Sequence, residues 1–413
     1  MSAGGNMAQA RSLYSPAAEW SGLPDDLLGM ILYKIASPRD RICFAAVCST
    51  WRGAASLHPP PPALPLLLLS PRDEDMKKRL YCPEGGCILS VPLSSRLCGM
   101  WLNGSYEGGW IVAGSKIPRL PVVIMNLFSG VEVVLSEKQR SIDCPRHPGP
   151  HVIWKIIFSE APTSSGCILA AMTNTCNIAL CRIGCPDGGW TMEGCEREEL
   201  ADIVFCQGEL YGLTRYSENL FKYDIGENKD GAPVVTAARQ LNIKRRDGPM
   251  CTSDCSFDYA SYIFELCGKL AMAVMIPWSQ NRKEFFKVFE LVQTNAKEDT
   301  HDYKWVELHS LGDYALFLGQ AFSCRVVHVP LGGRGGVERN HIYYSHFRAL
   351  PANSEKEFDG KGYLTRSVCG DRMYCREDQN VGDSGDDVQQ ITALGYYILG
   401  GPYVPMWFFP PDF

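Results

Sequence analysis

Long hydrophobic runs are missing from this sequence. The longest apolar stretch, ALPLLLLS from Ala63 to Ser70, is far shorter than the roughly 20 residues a membrane-spanning helix requires. The opening residues, MSAGGNMAQARSLYSPAAE, carry no apolar block of the kind that drives secretion. Positive charge is also scarce: 40 Lys and Arg stand against 46 Asp and Glu, for a formal net charge of −6. KRR at Lys244 to Arg246 is too short to track a phosphate backbone or to serve as an import cluster. These absences exclude membrane and nucleic acid as expected partners and place the chain in the cytosol or the nucleus.

Catalytic signatures are absent too. There is no G-x-S-x-G elbow, no H-E-x-x-H helix and no G-x-x-x-x-G-K phosphate loop. GGRGG at Gly332 to Gly336 is glycine-rich, but no helix signal follows Arg334, so it is read as a mobile surface loop. Cysteine, by contrast, is abundant, with 18 residues. Without an export signal these are expected as reduced, buried thiols, and many lie in apolar strings such as RICFAAVC and FELCGKLAMA. Cys176, Cys181 and Cys185 lie close together, as do Cys251 and Cys255, and Cys144 precedes His147. None repeats the paired C-x₂-C spacing of a zinc site, so neither metal nor cofactor is expected.

What the sequence does contain is one isolated apolar block, WSGLPDDLLGMILYKIASPRDRICFAAVCSTWRGAA, from Trp20 to Ala55. Pro24 suits a first helical turn, with Asp25 and Asp26 where the helix dipole favours negative charge. Leu27, Leu28, Ile31 and Ile35 follow at helical spacing, widened by Leu32. Ser37-Pro38-Arg39-Asp40 signals a second start, and Ser49 or Thr50 caps a third short helix carrying Trp51 and Arg52. About forty residues cannot enclose an adequate core unaided, so the block either docks on the rest of the chain or presents its apolar surface to another protein. HPPPPALP beyond it limits helical continuation.

The block resembles an F-box. The Leu23-Pro24 pair, Val47-Cys48 and Trp51-Arg52 stand in the family's order. Phe44 departs from it, standing where many members have an aliphatic residue. The resemblance implies docking on the Skp-type linker of a cullin-RING ubiquitin ligase, with Leu23, Pro24, Leu27, Leu28, Ile31 and Ile35 toward that partner. Phe44, Val47, Cys48 and Trp51 would shape the unit and a second contact surface.

Beyond residue 70 helical periodicity gives way to short apolar strings between Gly, Pro, Asn and Asp clusters: GWIVAG, PVVIMNLFSG, VIWKIIFSE, GCILAAM, NIALCRIG, KVFELV, HIYYSHF. A glycine followed by an apolar string recurs at Gly109, Gly166, Gly208, Gly268 and Gly319, an irregular spacing of 57, 42, 60 and 51 residues set against the roughly 40 to 50-residue period of propeller blades. Each such glycine is read as preceding an inner strand near a crowded centre. Asp202 and Asp313 each precede one of these glycines by six residues and are expected in turns or caps rather than in acid–base chemistry. Trp278, Trp305, Tyr343, Tyr344 and Trp407-Phe408-Phe409 are expected largely in the core, with some available to line one end of a propeller.

LHSLGDYALFLGQAFSC, NHIYYSHF and the terminal MWFFPPDF are similar to a plant family that joins an F-box to a kelch-like region known as domain of unknown function 295. VPLGGRGGVERN departs from that family, and REDQNVGDSGDDVQQ reads as a variable acidic loop. The expected fold is mainly β, a three-helix F-box followed by a β-propeller. Residues 1–19 form a leader, 20–58 the F-box, 59–72 a proline-rich linker and 73–413 the propeller-like domain. The expected role is a non-catalytic recognition adaptor of a Skp-cullin-F-box ligase that recruits a target protein. The alternative is an F-box protein that sequesters a partner without ubiquitination.

Overall fold

The computed structural model describes residues 20–35, 38–57, 64–69, 77–83, 87–92, 97, 100–114, 122–142, 153–173, 177–185, 188–192, 199–244, 260–275, 286–294, 302–319, 324–329, 337–345, 363–368, 371–378, 391–399 and 406–410. The chain divides into two compact units between Pro61 and Pro62.

The first unit holds a 3-10 turn (Trp20–Gly22) and three helices: α1 (Asp25–Lys34), α2 (Pro38–Ala46) and α3 (Ser49–Leu57). Pro24 occupies the N-cap of α1 with φ −56° and ψ 146°, one position earlier than the sequence suggests. Its extended ψ lets the chain enter the helix, while its carbonyl accepts the first helical bond, from the Leu28 amide. Leu28 and Leu32, one turn apart, pack with Phe44 and Ala54 as the unit's core. The proposed Ser37 cap lies outside the described residues.

The second unit is built of strands in chain order. β1 (Leu66–Leu68), β2 (Lys77–Cys82) and β3 (Cys87–Pro92) begin the first sheet. β4 (Trp101–Tyr106), β5 (Trp110–Gly114) and β6 (Val123–Asn126) form the second, followed by a single helical turn, α4 (Glu137–Arg140). β7 (Ile153–Phe158), β8 (Ile168–Thr173), β9 (Ala179–Arg182) and β10 (Thr191–Met192) form the third. The fourth is β11 (Leu200–Cys206), β12 (Glu209–Thr214), β13 (Leu220–Glu227) and β14 (Pro233–Gln240). The fifth comprises β15 (Ile243–Lys244), β16 (Ala260–Leu266), β17 (Lys269–Met275), β18 (Phe286–Gln293) and β19 (Tyr303–Leu308). The sixth holds β20 (Tyr314–Leu318), β21 (Cys324–His328), β22 (His341–Tyr344), β23 (Tyr363–Val368), β24 (Asp371–Asp378) and β25 (Thr392–Leu399). β26 (Met406–Phe408) then returns to β1 and gives the first sheet the order β26-β1-β2-β3.

Strand alternation turns these six sheets into a ring. In the β1–β26 pair, Leu67 stands opposite Trp407 and both face the sixth sheet, whereas Leu66, Leu68, Met406 and Phe408 face the second. Each further pair of consecutive sheets shares its own apolar layer, from second-to-third through fifth-to-sixth. The circle of layers is therefore closed, as a β-propeller requires. β26, β4, β7, β11, β16 and β21 lie side by side as the innermost strands.

Two expectations need correction here. Residues 66–68 fall within the segment read as a linker, yet all three leucines are buried and form the closing strand. A continuous apolar run is what a strand buried on both faces requires, and its shortness, decisive against a membrane span, is ordinary for a strand. Of the recurrent glycines only Gly319 precedes an innermost strand, β21; Gly166 precedes β8, the second strand counted from β7. Gly109, Gly208 and Gly268 sit between an innermost strand and the second strand of the same sheet, at φ of +85°, +79° and +77°. A tight hairpin of this hand requires positive φ, which glycine supplies without strain. Among the described residues no helix is long and apolar enough to cross a membrane.

Candidate functional site

The helical unit is organised by side chains that close its own backbone. Arg41 Nε donates to the carbonyl of Ile35 at 2.8 Å, placing a buried cation at the C-terminal end of α1. Trp51 Nε1 donates to the Trp20 carbonyl at 3.0 Å, fastening the leading turn to α3. Arg52 Nε donates to the Ala45 carbonyl at 3.2 Å and covers the end of α2. The Trp51 ring lies 4.5 Å from that of Phe44. The Trp-Arg pair of the motif is thus explained by what each residue ties. Arg41 carried no signal in the sequence beyond being one more charge in a polar stretch. Arg41→Ala is expected to destabilise this unit by about 1–3 kcal/mol, the worth of a charge-assisted bond at a helix terminus; an unchanged unfolding midpoint would refute that.

The candidate interface residues separate into two groups. Leu28 is 0% exposed and Phe44 3%, so both belong to the interior of the unit and neither is presented outward. Leu28 and Leu32 point inward because the helix turns Leu27, one residue earlier, to the far side. Leu27 and Val47 are exposed, at 45% and 57%, and so is Pro24. Leu23, Ile31, Ile35, Cys48 and Trp51 are half-buried. The sequence reading missed Met30 and Tyr33, which extend the outward face of α1 at 60% and 55% exposure. Their i, i+3 spacing with Leu27 was the available signal. A unit of this size leaving these apolar side chains in water has the makings of an interface.

The other concentration of polar chemistry lies among the innermost strands of the ring. Lys155 Nζ on β7 is 2.6 Å from Asp202 Oδ1 on β11, both side chains buried. Lys155 also donates to the Ile203 carbonyl at 3.0 Å. Asp202 accepts the Ile203 amide at 2.8 Å and, through Oδ2, the Ile263 amide of β16 at 2.9 Å. Burial pushes the Asp202 carboxyl upward, and Lys155 with the two amides pulls against it. The buried hydroxyls of Tyr106 on β4 and Tyr262 on β16 and the Cys324 thiol on β21 are likewise held above their ordinary ranges by desolvation. The arrangement ties three consecutive sheets together; with its charges paired and buried, it offers no reacting group to a substrate. Asp202 is therefore not a turn residue as its repeat position suggests. Asp313 is: it lies in the turn before β20, ion-paired with Arg339 at 2.9 Å.

Of the cysteines considered, Cys181 is buried in an apolar layer, its thiol pushed up to about 12 by burial, and Cys185 is half-buried. Cys144, His147, Cys176, Cys251, Cys255 and Gly332–Gly336 lie outside the described residues, as does Trp278. Trp305, Tyr343, Tyr344, Trp407, Phe408 and Phe409 all belong to the buried layers, so none lines an open end of the ring.

Residues 70–374 match the family described as KIB1-4 beta-propeller. Three proteins of Arabidopsis thaliana are similar along most of the chain. "Putative F-box protein At3g25750" is 23% identical over 359 residues, covering 82% of this chain and 91% of its own length. "Putative F-box protein At5g55150" is 24% identical over 339 residues, covering 80% and 86%. "F-box protein At2g26160" is 23% identical over 356 residues, covering 79% and 95%.

Proposed function

The chain belongs to the KIB1-4 beta-propeller family, and on that footing we propose that it is the target-recognition subunit of a Skp-cullin-F-box ubiquitin ligase. The helical unit docks on a Skp-type linker, and through it a cullin, while the propeller holds the target. The observation that carries this reading is the exposed apolar face of the helical unit, with Leu27, Met30, Tyr33 and Val47 in water beside a small core of Leu28, Leu32, Phe44 and Ala54. The F-box names of its relatives support it. Such a subunit needs no catalytic residue: holding a target lysine near a ubiquitin-charged enzyme raises its effective concentration, and the rate follows. Leu23, Pro24, Leu27, Ile31, Ile35, Val47, Cys48 and Trp51 are the residues proposed to meet the linker, with Leu28 and Phe44 supporting them from within.

The test is co-expression of the full chain with a plant Skp-type linker. Leu27→Asp is the informative variant because its side chain is already exposed and the fold is spared. Binding is expected to weaken by at least about thirtyfold, the size of a hot-spot contact of about 2 kcal/mol. A native chain that does not bind, or a Leu27→Asp chain that binds equally well, would sink the reading.

A further inference from the structure

Between the fourth and fifth sheets, beside their hairpin tips, lies a cleft of about 390 Å³, a volume within the range of ligand pockets. Its two walls differ. The fifth sheet contributes Leu270 and Leu291, which belong to the apolar layer the two sheets share. The fourth contributes Tyr211 and, on the same face, Lys222 opposite it in register and Glu209 two residues before it. Cys206 is buried at the base. The hairpin tips are tied across the sheets: the Gln207 amide donates to Glu265 Oε2 at 3.0 Å, and its side-chain amide donates to the Gly268 carbonyl. Both walls are thereby held in place.

The cleft carries more hydrogen-bond donors than acceptors. A lysine ammonium offers three N–H groups and no acceptor. Lys222 Nζ is 3.2 Å from Glu209 Oε1, and Lys269 Nζ, at the mouth, is 2.7 Å from Glu290 Oε1. Among the described residues each ammonium thus holds one carboxylate and keeps two N–H groups. Burial pushes the Tyr211 hydroxyl up, against the pull of Lys222, so at neutral pH it stays protonated and adds a further donor. The charged side chains lining the cleft are two lysines and one glutamate. This lining is short of one anion.

We infer that the cleft receives an acidic side chain of the recruited protein, its carboxylate held by Lys222 with Lys269 at the mouth, and its aliphatic stem laid on Leu270 and Leu291. Charge complementarity selects this occupant. A carboxylate gains charge-assisted bonds from ammonium groups that still have N–H to give. A basic side chain would meet two ammonium groups and a glutamate already engaged by one of them. A purely apolar one would strip water from Lys222 and Glu209 and return no hydrogen bond. The inference rests on the recruiting role proposed above and names the chemistry of what is recruited.

The experiment selects peptides from a random seven-residue display library on the full-length chain. Selected peptides are resynthesised with both ends blocked, so that only side chains carry charge, and titrated by fluorescence anisotropy. Enrichment of Asp and Glu is expected, with binding that weakens as salt rises. Lys222→Gln should weaken binding about tenfold, and Lys269→Gln, whose side chain is 61% exposed, about threefold. Lys304→Gln removes the same charge from an exposed site on β19 outside the cleft and should change binding by less than about twofold. Should Lys222→Gln lose its fold by circular dichroism, Lys269→Gln at its exposed position carries the test. Enrichment of basic or purely apolar peptides, no enrichment, equal binding to native and cleft variants, or an equal loss in Lys304→Gln overturns the inference. Linker binding is measured separately: a chain that binds the linker but no acidic peptide overturns this inference alone, and the converse overturns only the adaptor reading.

Discussion

A Lys155→Met variant is expected to lose about 3–5 kcal/mol of stability in the propeller, the cost of stranding one member of a buried ion pair. The carboxylate left behind keeps the Ile203 and Ile263 amides but loses the buried cation at 2.6 Å. Burial already pushes the Asp202 carboxyl up, and removing the ammonium pushes it further. The folded variant then holds a proton that the unfolded chain, titrating near 3.9, has released. Its stability consequently rises as pH falls toward the carboxylate range, and its deficit against the native chain is greatest at neutral pH and above. Asp202→Asn should not be a benign substitute. The carboxylate offers acceptors alone to an ammonium and two amides, whereas an amide side chain would aim N–H at one of these donors. Unfolding midpoints followed by tryptophan fluorescence at pH 5.5 and pH 8 decide the matter. A Lys155→Met chain with the native midpoint at both values would show that the pair does not hold the inner strands.

That pair also marks where sequence reasoning ends. Lys155 and Asp202 lie on different sheets, and nothing in either local pattern announces the other. In the sequence Asp202 is distinguished by standing six residues before a glycine, a spacing shared with Asp313. Asp202 is the third residue of β11, an innermost strand, whereas Asp313 lies in the turn before β20, which is second from that edge of its sheet. Equal spacing to a glycine is blind to this difference in depth. The helical unit was legible because its determinants are local: Pro38 and Ser49 begin α2 and α3 where the start signals lie, and Pro24 misses by one residue. Its inward and outward faces were less so, since Leu27 and Leu28 are adjacent and chemically alike. Only the packing of Phe44 and Ala54 on Leu28 separates core from surface. Apolar strings such as GWIVAG and VIWKIIFSE marked β5 and β7 correctly, whereas β13 and β14 escaped notice. As outer strands of the fourth sheet they carry polar residues along much of their length.

Removal of the terminal strand should be the most damaging change the propeller can suffer. β26 is three residues long, yet it supplies the innermost strand of the first sheet and contributes to two apolar layers at once. Trp407 is fully buried, its ring edge-on to Phe317 at 5.0 Å and to Tyr396 at 5.2 Å. Trp407→Ala alone is expected to cost about 3–5 kcal/mol, the range for emptying an aromatic site in a packed core. A chain ending at residue 405 loses more, because β1 is left without its inner neighbour and Leu66, Leu67 and Leu68 lose cover on that side. Closure by the two ends also means that the cost falls on the whole ring: an open first sheet exposes the layers it shares with both the second and the sixth. The truncated chain is therefore expected to lose its near-ultraviolet circular dichroism and to unfold without a sharp transition, while Trp407→Ala keeps a sharp transition at a lower midpoint. If the truncated chain kept both the signal and the midpoint of the intact one, the pairing of Leu66–Leu68 with Met406–Phe408 would not be what closes the ring.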